Sequence, residues 1–273
     1  MGTQGAVLSN QQIRHYTRSE WAQVFNGEVG MMVPGGSDQH IDEESATQNF
    51  IIGARKVVGS TVYHYGKMGA AYTIDVSNQH RGACNANVLD EQNTSAAPAS
   101  VAVGSMTLSI LDAASGVNEY QNGKIVVYTT EYQVFHIVSS EASDGTNVVL
   151  HLLTPVRNAI AAGTFTAIMK NPYSNIGGAA AIGTGLAPIV CVPERYFTAG
   201  YYGWFATYGV CAITQGEALD QTDGPDLVFS RLDGAVYKKS TSIGAADSWQ
   251  RAGHSLLEQT AGIDSNIFLQ LDP

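Results

Sequence analysis

A chain of 273 residues carrying 14 Lys plus Arg against 24 Asp plus Glu, for a formal net charge of −10, lacks the basic footprint that phosphate recognition requires, so no nucleic-acid partner is expected. No apolar run approaches the ~18 residues of a membrane span, and Met1–Val7 has neither a basic region nor an apolar core, so a protein made in a cytoplasm and away from membranes is expected. The length suits one large β domain or two smaller ones, and three scattered cysteines, Cys84, Cys191 and Cys211, are too few for a disulfide framework and are expected as buried free thiols.

In chain order, Thr17-Arg18-Ser19-Glu20 fits a capping box, with Tyr16 and Trp21 placed as a hydrophobic staple. Trp21, Val24 and Phe25 then share one face at helical spacing before Gly27, which predicts a short amphipathic helix over 17–26. Residues 30–44, with Pro34-Gly35-Gly36-Ser37-Asp38 and Asp42-Glu43-Glu44, read as loop. Residues 1–48 are therefore expected to form an N-terminal arm that docks either on its own domain or on a neighbour.

From Asn49 to the C-terminus the pattern is β. Phe50–Val58, the turn pair Gly59-Ser60 and Thr61–Tyr65 read as a hairpin. Ser105–Leu111 is a short strand between loop-like stretches rich in Ala, Ser, Asn and Thr. Lys124–Val138 reads as one long strand with Tyr132, Val134, His136 and Val138 on one face and Glu131, Gln133, Phe135 and Ile137 on the other. Asp144-Gly145 turns the chain into Val148–Leu153, and Thr164–Met169 follows. A glycine-rich connector at 177–185 suggests two β subdomains split near 171–190.

Phe197–Cys211 is a run of aromatic, β-branched and glycine residues without one charge, which reads as strand buried or docked on both faces, with Gly200, Gly203 and Gly209 marking bulges or close backbone approach. It is either core or a subunit contact. Leu227–Phe229, Asp233-Gly234 and Ala235–Tyr237 read as a further hairpin, and Ile267–Leu271 as a final strand. The expected fold is mainly β, an antiparallel β-barrel or jelly-roll-like β-sandwich with long loops and an N-terminal arm.

The motifs of the common hydrolases, P-loop proteins and zincins are missing from the sequence, so no catalytic residue, metal site or cofactor is expected. His136 and His151 could meet across neighbouring strands, and Asp220, Asp223 and Asp226 crowd one turn of a kind that can hold calcium. Both have simpler readings, a hydrogen-bonded strand histidine and a solvated turn.

Six segments carry a resemblance: Asn49–Arg55 with Thr61–Lys67, Lys170–Asn175, Thr198–Trp204, and Arg251–His254 with Ile267–Leu271. In this order they resemble a series found in tailed-bacteriophage virion proteins described as capsid decoration, cement or minor head proteins. The resemblance spans residues 49–273 and leaves out the arm. It implies a non-enzymatic, β-rich protein that binds the outer shell, commonly as a trimer, with the major capsid protein as partner. The residues expected at subunit or capsid contacts are Trp21, Val24 and Phe25 in the arm and Tyr201, Tyr202 and Trp204 in the uncharged run. A phage surface protein that binds a receptor or glycan is the alternative.

Overall fold

The computed structural model describes residues 32, 36–69, 84–86, 95–178, 188–214, 226–229, 235–238, 250–256 and 264–271. Its strands are β1 (Arg55–Val58), β2 (Thr61–Lys67), β3 (Cys84–Ala86), β4 (Ser95–Ala96), β5 (Thr107–Leu111), β6 (Lys124–Val127), β7 (Gln133–Ser140) and β8 (Asn147–Leu152). They continue with β9 (Phe165–Met169), β10 (Ile176–Gly178), β11 (Ile189–Cys191), β12 (Tyr202–Thr214), β13 (Asp226–Phe229), β14 (Val236–Lys238), β15 (Gln250–Ser255) and β16 (Asp264–Gln270). All the strand ladders are antiparallel, and the described residues contain no helix. The protein is mainly β. The helix expected over 17–26 lies outside the described residues.

A seven-stranded sheet runs β1-β2-β12-β16-β15-β13-β14, and a three-stranded sheet runs β10-β3-β11. The expected hairpin forms β1 and β2, with Val58 opposite Thr61 and Gly59 at φ +62° in the two-residue turn. The long strand at the centre of the larger sheet is β12, paired with β2 on one side and β16 on the other. Alternation sends Trp204 and Ala206 into the main core with Phe50, Tyr63 and Tyr65, while Phe205 points the other way to join Met68, Ile176, Cys191 and Phe197. Both faces of β12 are covered there, which is why residues 203–207 have no place for a charge.

Gly203 and Gly209 mark the close approach and bulge expected of them, whereas Gly200, at φ +81° with open space around it, lies in the turn before β12. The β2–β12 register shifts between Ala206 and Tyr208, and Gly209 sits at φ +98° with its Cα hydrogen directed at the backbone of Ser60, so that a Cβ would overlap the Ser60 carbonyl oxygen. At Gly203 a Cβ would collide with the Phe197 ring.

Six strands form the second unit in the order β4-β9-β6-β7-β8-β5. This sheet curls into a half-barrel so that its edge strands β4 and β5 approach each other, and loop bonds such as Ala97 N–H to Thr164 O (2.8 Å) and Gly104 N–H to Val156 O (2.8 Å) stitch the gap. Its interior is a core of its own, with Leu108, Ile110, Ile125, Phe135, Ile137, Leu150 and Ile168. The expected long strand at 124–138 is two strands here. Thr129 folds back, its N–H bonding Val127 O (3.1 Å) and its hydroxyl bonding Glu131 O, and residues 128–132 become a hairpin loop. At Asp144-Gly145 the Asp144 carboxylate accepts the N–H groups of Asn147 (2.7 Å) and Thr146 (2.8 Å), which hold its pKa below the ordinary value.

The half-barrel is built from one continuous stretch, 95–169, whereas the seven-stranded sheet takes strands from both sides of that stretch. Asn122 Nδ2 of the half-barrel joins the two units by donating to the backbone carbonyl Ile52 O (2.8 Å), which also accepts from Asn171 Nδ2 (3.4 Å) just beyond β9.

The arm expected over 1–48 belongs to the seven-stranded unit from residue 36 on. Gln39, 2% exposed, is the reason: its amide N–H groups bond Glu43 O and Tyr202 O (2.9 Å each), its Oε1 accepts from Tyr65 Oη (2.9 Å) and Asn49 Nδ2 (3.0 Å), and its carbonyl accepts from Trp204 Nε1 (3.2 Å). Glu44 accepts the Thr198 N–H (2.8 Å) and hydroxyl (3.0 Å). Residues 1–31 lie outside the described residues.

Two measurements check this frame. Gly209→Ala is expected to cost about 2–4 kcal/mol in urea denaturation, since it combines left-handed strain with a backbone overlap, whereas Gly104→Ala, at φ +86° but with open space around it, costs only about 1 kcal/mol. The pH profile of stability is the second. Burial pushes the Tyr65 phenol up to about 12 and, together with the charge of Glu194, raises that of Tyr63. The unfolded chain gives up these protons first, so stability is full below about pH 10 and falls as pH rises from there toward 12. Tyr65→Phe removes part of that alkaline slope while lowering stability at neutral pH through the lost Gln39 and Asn49 bonds.

Candidate functional site

An antiparallel sheet with one face on a core ordinarily turns polar residues to water on the other. The half-barrel breaks that rule. Inward positions of β6, β7 and β9 are the buried Ile125, Val127, Phe135, Ile137 and Ile168, but the outward positions are apolar as well. Val126 stands between its ladder partners Val134 and Ala167, and Val138 and Leu153 lie exposed farther along. At one end, Tyr128 bonds through its N–H to Phe165 O (2.9 Å) and meets Tyr132 edge to face at 5.4 Å. Tyr132 is 71% exposed and Phe165 63%.

Charge is confined to the opposite end of the same face. Lys124 stands between its partners His136 and Met169, and His151 pairs with Glu141 at 3.3 Å. His136 and His151 do not sit opposite each other as they could have: β7 and β8 slip in register between Ile137 and Ser139, which sets His151 against Ser139 and puts the Leu153 N–H on His136 O (2.9 Å). Among the described residues no group of three or more His, Cys, Asp or Glu side chains could hold a metal ion. Asp226 binds Arg251 (3.3 Å) and His254 (3.2 Å) across the start of β13, while Asp220 and Asp223 lie outside the described residues. Cys191 and Cys211 are buried.

The expected contact residues fare differently. Trp21, Val24 and Phe25 lie outside the described residues. Trp204 is corrected to a core residue: it is 1% exposed, packs edge on against Phe50 (4.9 Å) and Tyr65 (5.1 Å), and spends its indole N–H on Gln39 O, leaving no surface to offer. Tyr201 and Tyr202 are half-buried; Tyr202 stacks on Tyr65 at 6.2 Å under the Lys67 ammonium and is tied through its backbone to Ser45. The residues that face outward instead are Tyr128, Tyr132, Val134, Val138, Phe165 and Met169. Their signal was the sequence around 132–138, where both faces of an alternating strand carry apolar side chains.

An open sheet face of this composition can do one thing well, which is to dock. Its side chains stand on a rigid ladder, so association costs little ordering, and aromatic residues at its rim are the kind that anchor interfaces. Contiguous exposed apolar surface of this sort marks contact sites on folded proteins. No family model, curated protein or solved structure matches this chain.

The face can be separated from the core by mutation. Tyr132→Ser with Phe165→Ser is expected to leave thermal stability within about 1 kcal/mol of the parent, as surface substitutions do, while lowering the binding of an apolar reporter dye. Trp204→Ala in the same background is expected to cost about 3–5 kcal/mol.

Proposed function

We propose that this chain is a structural virion protein of a tailed bacteriophage, which binds the outside of the capsid as a homotrimer and stabilises the shell by bridging capsomers. On this reading it has no turnover, metal or cofactor; its partners are the major capsid protein and further copies of itself; and it resides on the capsid outer surface after synthesis in the host cytoplasm. The observation that carries the reading is the exposed apolar face of the half-barrel with Tyr128, Tyr132 and Phe165 at its rim. The segments resembling decoration proteins supply the identity of the partner.

The mechanism is mass action. A subunit that binds the assembled lattice and not the dissociated capsid protein stabilises the assembly by its own binding free energy. Three linked copies raise avidity far above one contact where all three engage together. A net charge of −10 limits adhesion to nucleic acid released around the particle.

A receptor- or glycan-binding surface protein is the second reading, favoured by the same exposed Tyr128, Tyr132 and Phe165, since aromatic faces also stack on sugars. Purified DNA-filled heads separate the two. Heads carrying the protein are expected to release their genome at a higher temperature than heads lacking it, and Tyr132→Ser with Phe165→Ser is expected to lower occupancy about tenfold or more. Equal release temperatures, or undiminished occupancy, would leave the adhesin as the better account. Light scattering of the purified protein is expected to give a trimer mass.

A further inference from the structure

Between the two units lies a cleft of about 360 Å³ that the outer face does not use. One wall is the end of β2 and the two residues after it, Lys67-Met68-Gly69, with Ser174 and Asn175. The other is the turn Gly116-Val117-Asn118-Glu119 of the half-barrel, and Gly200 and Tyr202 close one side. We infer that this cleft is a binding site for a small oxyanion, a carboxylate or phosphate carried on a ligand no larger than a monosaccharide.

The argument is the balance of donors and acceptors. The one carboxylate in the cleft, Glu119, is already spent: Oε1 accepts from Lys170 Nζ at 2.6 Å, and Oε2 accepts the Gly116 N–H at 2.7 Å. Lys170 is buried, with Tyr120 under its ammonium at 5.2 Å, so that pair is a fixed and neutralised part of the wall. Lys67 is different. It lies over the Tyr202 ring at 5.6 Å and has no acidic partner among the described residues. Its positive charge is the unmatched one in the cleft of an acidic protein.

Around it stand further donors. Asn118 lines the cleft at φ +60°, with its Oδ1 accepting the Ser140 N–H (3.3 Å). The Asn175 amide and the Tyr202 hydroxyl make no hydrogen bond among the described residues. Gly69 lets Asn175 stand there, because a Cβ at residue 69 would run into Asn175 Oδ1. One ammonium without an acidic partner, amide and phenol side chains in the same lining, and no free carboxylate select an anion with several oxygen acceptors. The volume, at the small end of ligand cavities, sets the size of the ligand.

The test is a titration of the purified full chain with inorganic phosphate and, separately, with a hexuronate sugar, against sodium chloride at matched ionic strength. Saturable binding in about the millimolar range is expected. It should weaken about tenfold or more in Lys67→Glu and in Lys67→Gln, and by a smaller factor in Asn175→Ala, while Lys67→Arg binds within about threefold of the parent. Tighter binding of the hexuronate than of phosphate assigns the site to a sugar acid, and the reverse order assigns it to the free oxyanion. Absence of saturable binding of either probe by the parent chain, or equal affinity across the parent, Lys67→Glu and Lys67→Gln, overturns the inference. The outcome is independent of capsid binding, because Tyr132 and Phe165 are left untouched.

Discussion

Covering β12 on both faces is the constraint from which the rest of the fold follows. Trp204 and Phe205 are successive residues that bury on opposite sides of one sheet, so material must lie on both sides. On one side it comes from Phe50, Tyr63 and Tyr65 with the segment 36–50 that Gln39 pins in place. On the other it comes from Met68, Ile176, Cys191 and Phe197, which belong to the three-stranded sheet and its flanking segments. A buried amide such as Gln39 is tolerable because both polar atoms of its side chain have partners. Removing that residue would take away the acceptor of the Tyr65 hydroxyl and that of the Trp204 indole N–H together.

The half-barrel obeys a different economy. Its interior is closed by its own curl and needs nothing from the larger sheet, and the two units touch through a few polar bonds centred on Ile52 O. Its outer face is therefore free of any duty to the fold, yet it is apolar. Contiguous exposed apolar surface that the chain's own core does not use is the kind that marks contact sites. It supports the capsid-binding proposal, with β6, β7 and β9 rather than the uncharged run as the proposed contact.

Much of this was legible in the sequence. Turn chemistry at Gly59-Ser60 and Asp144-Gly145 placed strands, and the alternation through Gln133–Val138 sorted the side chains onto the two faces the structure shows. The glycines at 203 and 209 announced close packing and a bulge. What escaped was long-range. Nothing local distinguishes a Trp in a core from a Trp at an interface, because both environments want the same side chain; Trp204 is settled only by Phe50, Tyr65 and Gln39 arriving from elsewhere. The break at Thr129 was hidden because Tyr128 and Tyr132 suit a strand as well as a hairpin end. The nesting of 95–169 within the other sheet depends on strand order, which periodicity does not encode.

Radical footprinting of the protein free in solution and bound to purified heads tests the central claim most directly, since it reads which side chains lose contact with water. The account predicts protection on the heads at Tyr128, Tyr132, Phe165 and Met169, with Tyr65 and Trp204 unreactive in both states. Protection confined to Tyr201 and Tyr202, with the half-barrel face reacting equally in both states, would contradict it.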